Sequence, residues 1–394
     1  MTTADPRPRV LFLGTHGQHN IGDELLLETF LHQLGTDIAY TVNSYDPAFT
    51  ERQLAGRFDV TVIDTARDRL SLWRRLATTD AVVFGGGSIV KELYATIGRN
   101  RYATLLMLLA VVVAARVRRV PIAMLNIGVG PIASTAGRFL AARILRRVQL
   151  LTVRDAESGA LCARLGVAAR VTADAVFGAD PALLRGDRLP PRVHGPRVPV
   201  ALNLNYDIAN PDNWEHFQSA LAVALDRVNS RQPIEIHALP MQSEGKAHDD
   251  AAALAAFAAR VPGVPFVMHR PVDHREVAAI VARCDLVIAE RFHAIVLAAM
   301  LGVPVFALAY DVKVTSLVTA LQLGRSAVDI NGPLDAGTLG EALFCTLMER
   351  RTRRSAMNAA ACVLAMRARA DAGLARGWLR AVVPLRRAEA AVTP

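Results

Sequence analysis

Cys284-Asp285-Leu286-Val287-Ile288-Ala289-Glu290-Arg291-Phe292-His293 decides the fold of this chain. Leu286 to Ala289 is a short, wholly apolar run, which reads as a strand buried on both faces. Ala294 to Leu301 then reads as an apolar helix ended by Gly302, and Pro304 to Ala309 as the next strand. Tyr310-Asp311-Val312-Lys313 follows that strand. Strand, helix and strand in this order make a parallel unit. Open parallel sheets bind ligands outside the carboxyl ends of their strands. Glu290, Arg291 and His293 therefore stand at one such end, and Tyr310, Asp311 and Lys313 at the next. Arginine, histidine and lysine together suit an anionic, phosphate-bearing substrate. Glu290 suits charge balance or proton transfer beside them.

The same alternation extends in both directions. Arg9 to Leu13 reads as a first strand, followed by a glycine-containing loop from Gly14 to Asp23 and a helix from Leu25 to Leu34. Further strands are expected at 38–42, 58–63, 81–84, 122–126 and 150–153. An apolar helix is expected at 103–115 and a basic one at 138–147. Residues 178–199 are rich in Pro, Gly and Arg and read as a linker. A second series of strands follows at 198–204, 234–239, 266–268, 286–289 and 305–309, and from about 335 the pattern is helical. The fold class is therefore α/β, with two doubly wound parallel sheets. The expected domains are 1–185, 196–345 and a helical tail over 346–394 that packs back on the first.

With 394 residues the chain is long enough for two domains. Its four cysteines, Cys162, Cys284, Cys345 and Cys362, have no paired spacing. A disulfide framework or zinc site is not expected, and a reducing compartment is implied. The first nine residues hold no apolar signal region. The longest apolar run, Ala103 to Ala115, is shorter than the roughly 20 residues a spanning helix needs. It reads as a buried core helix or as one that touches a membrane face. The net charge of +9 is clustered, at Arg116, Arg118 and Arg119, at Arg138, Arg143, Arg146 and Arg147, and at Arg350, Arg351, Arg353 and Arg354. These clusters read as solvated helix faces or as attraction to anionic lipid at the cytoplasmic face. No nucleic-acid module is recognisable, so nucleic acid is not an expected partner.

Three more motifs lie at expected strand ends. Asn20-Ile21-Gly22-Asp23-Glu24 lacks the lysine of a P-loop and the glycine spacing of a dinucleotide fingerprint. Its amides could hold a phosphate or carboxylate. Asp23 reads equally as the cap of a helix starting near Glu24 and as a catalytic carboxylate. Gly85-Gly86-Gly87-Ser88 allows close backbone approach or is a plain tight turn. Arg154 could clamp a carboxylate, or pair with Asp155 or another acid. No cluster of acids and histidines suggests a metal ion.

On these residues the chain resembles the polysaccharide pyruvyl transferase family. The matching pieces are Asn20 to Glu24, Gly85 to Ser88, Arg154-Asp155 with Ser158, Asp174 within Thr172 to Phe177, Arg291-Phe292-His293 and Tyr310 to Lys313. They run in family order over roughly residues 10 to 325. The resemblance implies two Rossmann-like domains facing across a cleft, a glycosyltransferase-B-like fold. It also implies a metal-independent transferase of cell-envelope or exopolysaccharide biosynthesis with no bound cofactor; the cysteine usage and amino terminus point to the cytoplasm, and the arginine clusters leave a peripheral place at the inner face of the membrane as an alternative. Its co-substrate would be phosphoenolpyruvate. Its acceptor would be a sugar, nucleotide-linked, lipid-linked or in a growing glycan, and its product a cyclic pyruvate ketal. On the matching motifs, Arg154, His293 and Lys313 would hold the donor, with Arg291 a further candidate. His293 is then a candidate acid, and Asp23 or Glu290 a candidate base. Asn20, Gly22, Gly86, Gly87, Ser88 and Asp311 complete the expected substrate contacts. The rival readings are a nucleotide-sugar-dependent glycosyltransferase and a non-catalytic glycan-binding protein of the same fold.

Overall fold

The computed structural model describes residues 7–93, 100–185, 195–205, 211–242 and 249–392. The middle of the linker expected at 178–199, residues 186–194, lies outside these residues. The chain divides into two compact units. Each is built on one wholly parallel sheet.

The first unit comprises residues 1–18, 23–178 and 366–394. Its elements are β1 (Arg9–Leu13), α1 (Ile21–Leu34), β2 (Ala39–Ser44), α2 (Pro47–Leu54), β3 (Asp59–Asp64), α3 (Arg69–Thr78), β4 (Ala81–Gly85), α4 (Ala103–Val117), β5 (Ile122–Ile127), α5 (Thr135–Leu145), β6 (Leu150–Val153), α6 (Ala156–Arg164) and β7 (Arg170–Val171). The strand order is β3-β2-β1-β4-β5-β6-β7. The two central strands β4 and β5 are buried along their whole length, which explains their unbroken apolar sequences. Leu105, Leu108 and Val112 of α4 and Ile144 of α5 pack into the same core as Val82, Phe84 and Met124. Helix starts follow local chemistry: Asp46, Asp68, Ser134 and Asp155 each cap a helix with a side-chain oxygen. The helix α1 begins at Ile21, four residues ahead of the expected Leu25. The Asn20 side chain accepts from Gly22 N at 3.0 Å, so Asn20 is positioned as the cap and Asp23 lies in the first turn.

The second unit comprises residues 19–22 and 179–365. Its elements are α7 (Pro181–Arg185), β8 (Val198–Asn203), α8 (Pro211–Arg231), β9 (Ile234–Ala238), α9 (Asp250–Ala258), β10 (Phe266–Met268), α10 (His274–Arg283), β11 (Leu286–Ala289), α11 (Phe292–Met300), β12 (Val305–Ala309), α12 (Val312–Ala320), β13 (Ala327–Asp329) and α13 (Ala336–Met348). The order β10-β9-β8-β11-β12-β13 repeats the first six strands of the other sheet. It is the Rossmann order, with the chain's direction of winding reversing between β8 and β11. Phe217, Leu221, Phe257, Ile288, Phe306 and Leu343 share its core.

A long last helix, α14 (Arg350–Val392), is divided between the units at Met366. Its later half is sewn to the first sheet. Buried Asp371 accepts from Thr152 Oγ1 at 2.9 Å, and Thr172 Oγ1 donates to the Arg367 carbonyl at 3.2 Å. Burial pushes the Asp371 carboxyl above its usual range. Asp371→Ala leaves the Thr152 hydroxyl proton without this acceptor, although its oxygen still accepts from Asn126 N, and should cost about 1–3 kcal/mol in a denaturant titration. A loss of a few tenths would show that this contact does not hold the helix to the sheet.

Candidate active site

The second unit carries a connected polar network at the reversal between β8 and β11. Asn203, the last residue of β8, is its hub. Its Oδ1 accepts from Arg291 N at 2.9 Å, and its Nδ2 donates to the Leu239 carbonyl at 3.0 Å and to Asp250 Oδ2 at 3.3 Å. Asp250 is 1% exposed and also accepts from Met241 N at 3.0 Å. The Arg291 guanidinium grips Asp250 with two bonds, Nη2 to Oδ1 at 2.6 Å and Nε to Oδ2 at 3.2 Å. Its Nη2 also reaches Gln242 Oε1 at 3.1 Å. Planar bidentate pairing fixes the arginine's orientation as well as its charge balance.

Arg291 stands at the N-cap of α11, where its side chain supplies no acceptor to the first turn. His293 lies within that turn, mostly buried, with its ring edge-on to Phe292. Residues 19–22 pack in the same unit. Asn20 bridges to Gln242, and Ile21 N donates to the Met241 carbonyl at 2.9 Å. Gly22 then lies flat against the imidazole: a Cβ there would sit 2.2 Å from His293 Nδ1. Only glycine leaves the ring its position. Glu290 is buried and accepts from Asn205 N at 2.7 Å, which ties the end of β11 to the chain after β8.

At the neighbouring strand end, Asp311 caps α12 by accepting from Val314 N. Lys313 Nζ lies 2.8 Å from Tyr310 Oη and 3.0 Å from Asp311 Oδ2, and is about one-third exposed. Burial raises the Tyr310 phenol, so it stays neutral and accepts the lysine's proton bond. His293 and Lys313 thus follow two strands paired side by side.

The first unit carries its own set at the reversal between β1 and β4. Gly86 and Gly87 have φ of +63° and +69°, which a side chain would strain. Ser88 follows them, and its Oγ accepts from Arg154 Nη2 at 2.9 Å. Arg154 is nearly buried, with Asp155 at 3.5 Å and Asp174 at 3.9 Å. It is therefore an arginine already paired with acids on two sides. Ser158 donates no charge here; its Oγ accepts from Val129 N at 2.9 Å.

Two residues of this set were not singled out as site residues by their sequence. Glu24 is 8% exposed, and its Oε1 accepts from Gly17 N at 2.7 Å. Burial, opposed by the Gly17 and Gln18 amides and reinforced by Asp23, pushes its pKa up to about 8. His16 is buried against Phe12, ring centroids 5.8 Å apart, and burial lowers its pKa to about 3. A carboxyl raised by burial in the first turn of α1 and an imidazole lowered by burial in the loop before it therefore stand close in sequence. The only signal for Glu24 was its place inside the Asn20 to Glu24 motif. Among the described residues no cluster of histidine, cysteine, aspartate or glutamate is arranged to hold a metal ion.

These shifts predict a pH profile. A carboxyl raised on folding stabilises fully below its ordinary range and costs stability as pH rises toward about 8. A lowered histidine costs stability only as pH falls below its ordinary 6.5. Between pH 6.5 and 8 only Glu24 of this pair titrates. The Tm of Glu24→Gln should therefore fall less across that window than the parent's. Parallel profiles would contradict the raised carboxyl.

Comparison with solved structures returns GT-B-like UDP-GlcNAc 2-epimerases. The enzyme from Neisseria meningitidis bound to UDP-GlcNAc aligns with TM-score 0.57 and 12% identity over 89% of this chain and 94% of its own. MnaA of S. aureus, solved with UDP, aligns with TM-score 0.58 and 12% identity over 89% and 91%. The epimerase from Methanocaldococcus jannaschii aligns with TM-score 0.55 and 12% identity over 85% and 91%. At such identity the likeness shows the fold: α/β, GT-B-like, with two Rossmann-like domains. No curated protein matches the sequence. The family description "Polysaccharide pyruvyl transferase" matches residues 20–312, most of the chain and nearly all the motifs above, and on that match the chain belongs to the polysaccharide pyruvyl transferase family.

Proposed function

We propose that this transferase moves the enolpyruvyl group of phosphoenolpyruvate onto two hydroxyls of a sugar. The bond between C2 and the bridging oxygen breaks, that oxygen leaving on phosphate, and two C2–O bonds to the sugar form. C3 gains one proton, the second hydroxyl proton leaves with phosphate, and nothing is oxidised or reduced. The acceptor belongs to a polysaccharide precursor, lipid-linked, nucleotide-linked or within the glycan. The observation that carries the reading is the pair of cationic or protonatable side chains, His293 and Lys313, following adjacent strands of the second unit.

The donor carries about three negative charges, so it needs several donors of hydrogen bonds. Lys313 is assigned to the donor's anionic groups. His293 is assigned the dual role of binding phosphate and delivering the proton to C3. Arg291, already fixed by Asp250, presents a preset positive charge at the same strand end. In the first unit, Arg154 with Ser88 is assigned an anionic substrate group, and Asp23 a hydroxyl proton. Glu24, neutral at pH 7, keeps a second full charge away from Asp23.

Lys313→Ala should weaken phosphoenolpyruvate binding about tenfold or more, as expected for a charge-assisted bond of roughly 1.5–3 kcal/mol. An unchanged dissociation constant in calorimetry would remove Lys313 from the donor site. Asp23→Ala should lower kcat while leaving that constant unchanged; full turnover would refute its role as base. The reaction itself is tested by phosphate release from phosphoenolpyruvate across lipid- and nucleotide-linked sugars. Release that depends on an acceptor supports the transfer. Thermal stabilisation by a nucleotide sugar but not by phosphoenolpyruvate would favour a glycosyltransferase instead.

A further inference from the structure

The apolar helix α4 has more apolar surface than its core can cover. Leu105, Leu108, Val111, Val112 and Ala115 face inward. On the other side Leu106, Met107, Val113 and Val117 are exposed, Leu106 by 50% and Val117 by 79%. Leu106, Ala110, Val113 and Val117 follow helical spacing, so they form one stripe along the helix. The helix α5 packs against α4 and exposes Phe139 by 57%, with the Arg143 guanidinium 4.7 Å from its ring centroid. Isolated exposed apolar residues are ordinary, but a stripe of several along one helix, with a further exposed aromatic on the helix packed beside it, marks a binding surface.

The charge around it is of one sign. Residues 101–154 contain nine arginines and no aspartate, glutamate or lysine. Arg101 is exposed at the start of α4, and Arg116, Arg118 and Arg119 at its end. Arg138, Arg143 and Arg146 are exposed on or just after α5. Arg116, Arg118 and Arg119 have no acidic partner among the described residues. An apolar stripe rimmed by arginines matches the interface of an anionic bilayer, where apolar side chains enter the acyl boundary and guanidiniums meet phosphates. A second copy of the same face would bring arginine against arginine in a two-fold pair. No described helix is long and apolar enough to cross the bilayer, so contact would be at its surface.

We infer that the α4–α5 face docks this enzyme on an anionic phospholipid surface. The arginines supply attraction that salt screens, and the apolar stripe adds the part that salt does not screen. The inference does not depend on the identity of the donor.

The test is cosedimentation of the full chain with vesicles of phosphatidylcholine alone or mixed with phosphatidylglycerol. The protein should pellet with the mixed vesicles and stay in solution with the neutral ones. Phe139→Ser with Val117→Glu should reduce pelleting about tenfold, as should Arg116→Gln with Arg118→Gln. Both pairs sit on exposed positions, so Tm and phosphate release with a soluble acceptor should be unchanged. Equal binding to both vesicle types, or binding to neither, would overturn the inference. So would sedimentation as a dimer that Phe139→Ser with Val117→Glu converts to a monomer.

Discussion

The pairing of Arg291 with Asp250 is the interaction on which the second unit's site depends. Neither group is close to the other in sequence; they are 41 residues apart. Asp250 is buried at the start of α9, and it takes bonds from Arg291, Asn203 and the Met241 amide at once. Removing one partner of a buried pair typically costs roughly 3–5 kcal/mol, because the other charge is left stranded. Here the loss would also release the ends of β8 and β11 and the segment after β9. Residues 19–22, which lie against His293, bind that same segment through Ile21 and Asn20. The imidazole is thus held in place by a chain of contacts that begins at one carboxylate.

The two sheets share a strand order but present different chemistry where their winding reverses. The second unit offers lysine, histidine and a fixed arginine. The first offers a nearly buried arginine with a serine, and a loop-to-helix segment in which burial raises the pKa of Glu24 and lowers that of His16. Repeating a topology gives two edges of the kind at which open parallel sheets bind ligands. The side chains at each edge, rather than the fold, decide what the edges can do.

Much of this frame was legible in the sequence, for a physical reason. Parallel strands covered on both faces must be apolar throughout, so Leu286 to Ala289 and Val305 to Ala309 announce themselves. Their following residues then stand at neighbouring strand ends, which placed His293 and Lys313 side by side. What was not legible depends on distant partners. Nothing near Asp250 foretells that it clamps Arg291, and nothing near Asp371 foretells its bond to Thr152. Glu24 reads locally as an ordinary first-turn acid; only its burial raises its pKa. The start of α1 was displaced because Asn20, and not Asp23, is positioned to cap it. Short elements such as β7 and β13 carry too few residues for a pattern.

The central claim is that phosphoenolpyruvate binds at the ends of β11 and β12. A crystal structure of the complex with phosphoenolpyruvate tests it most directly. The account predicts the donor's phosphate or carboxylate oxygens within hydrogen-bond distance of His293 and Lys313, with Arg291 still paired to Asp250. A donor bound away from both strand ends, with these two side chains turned to other partners, would contradict it.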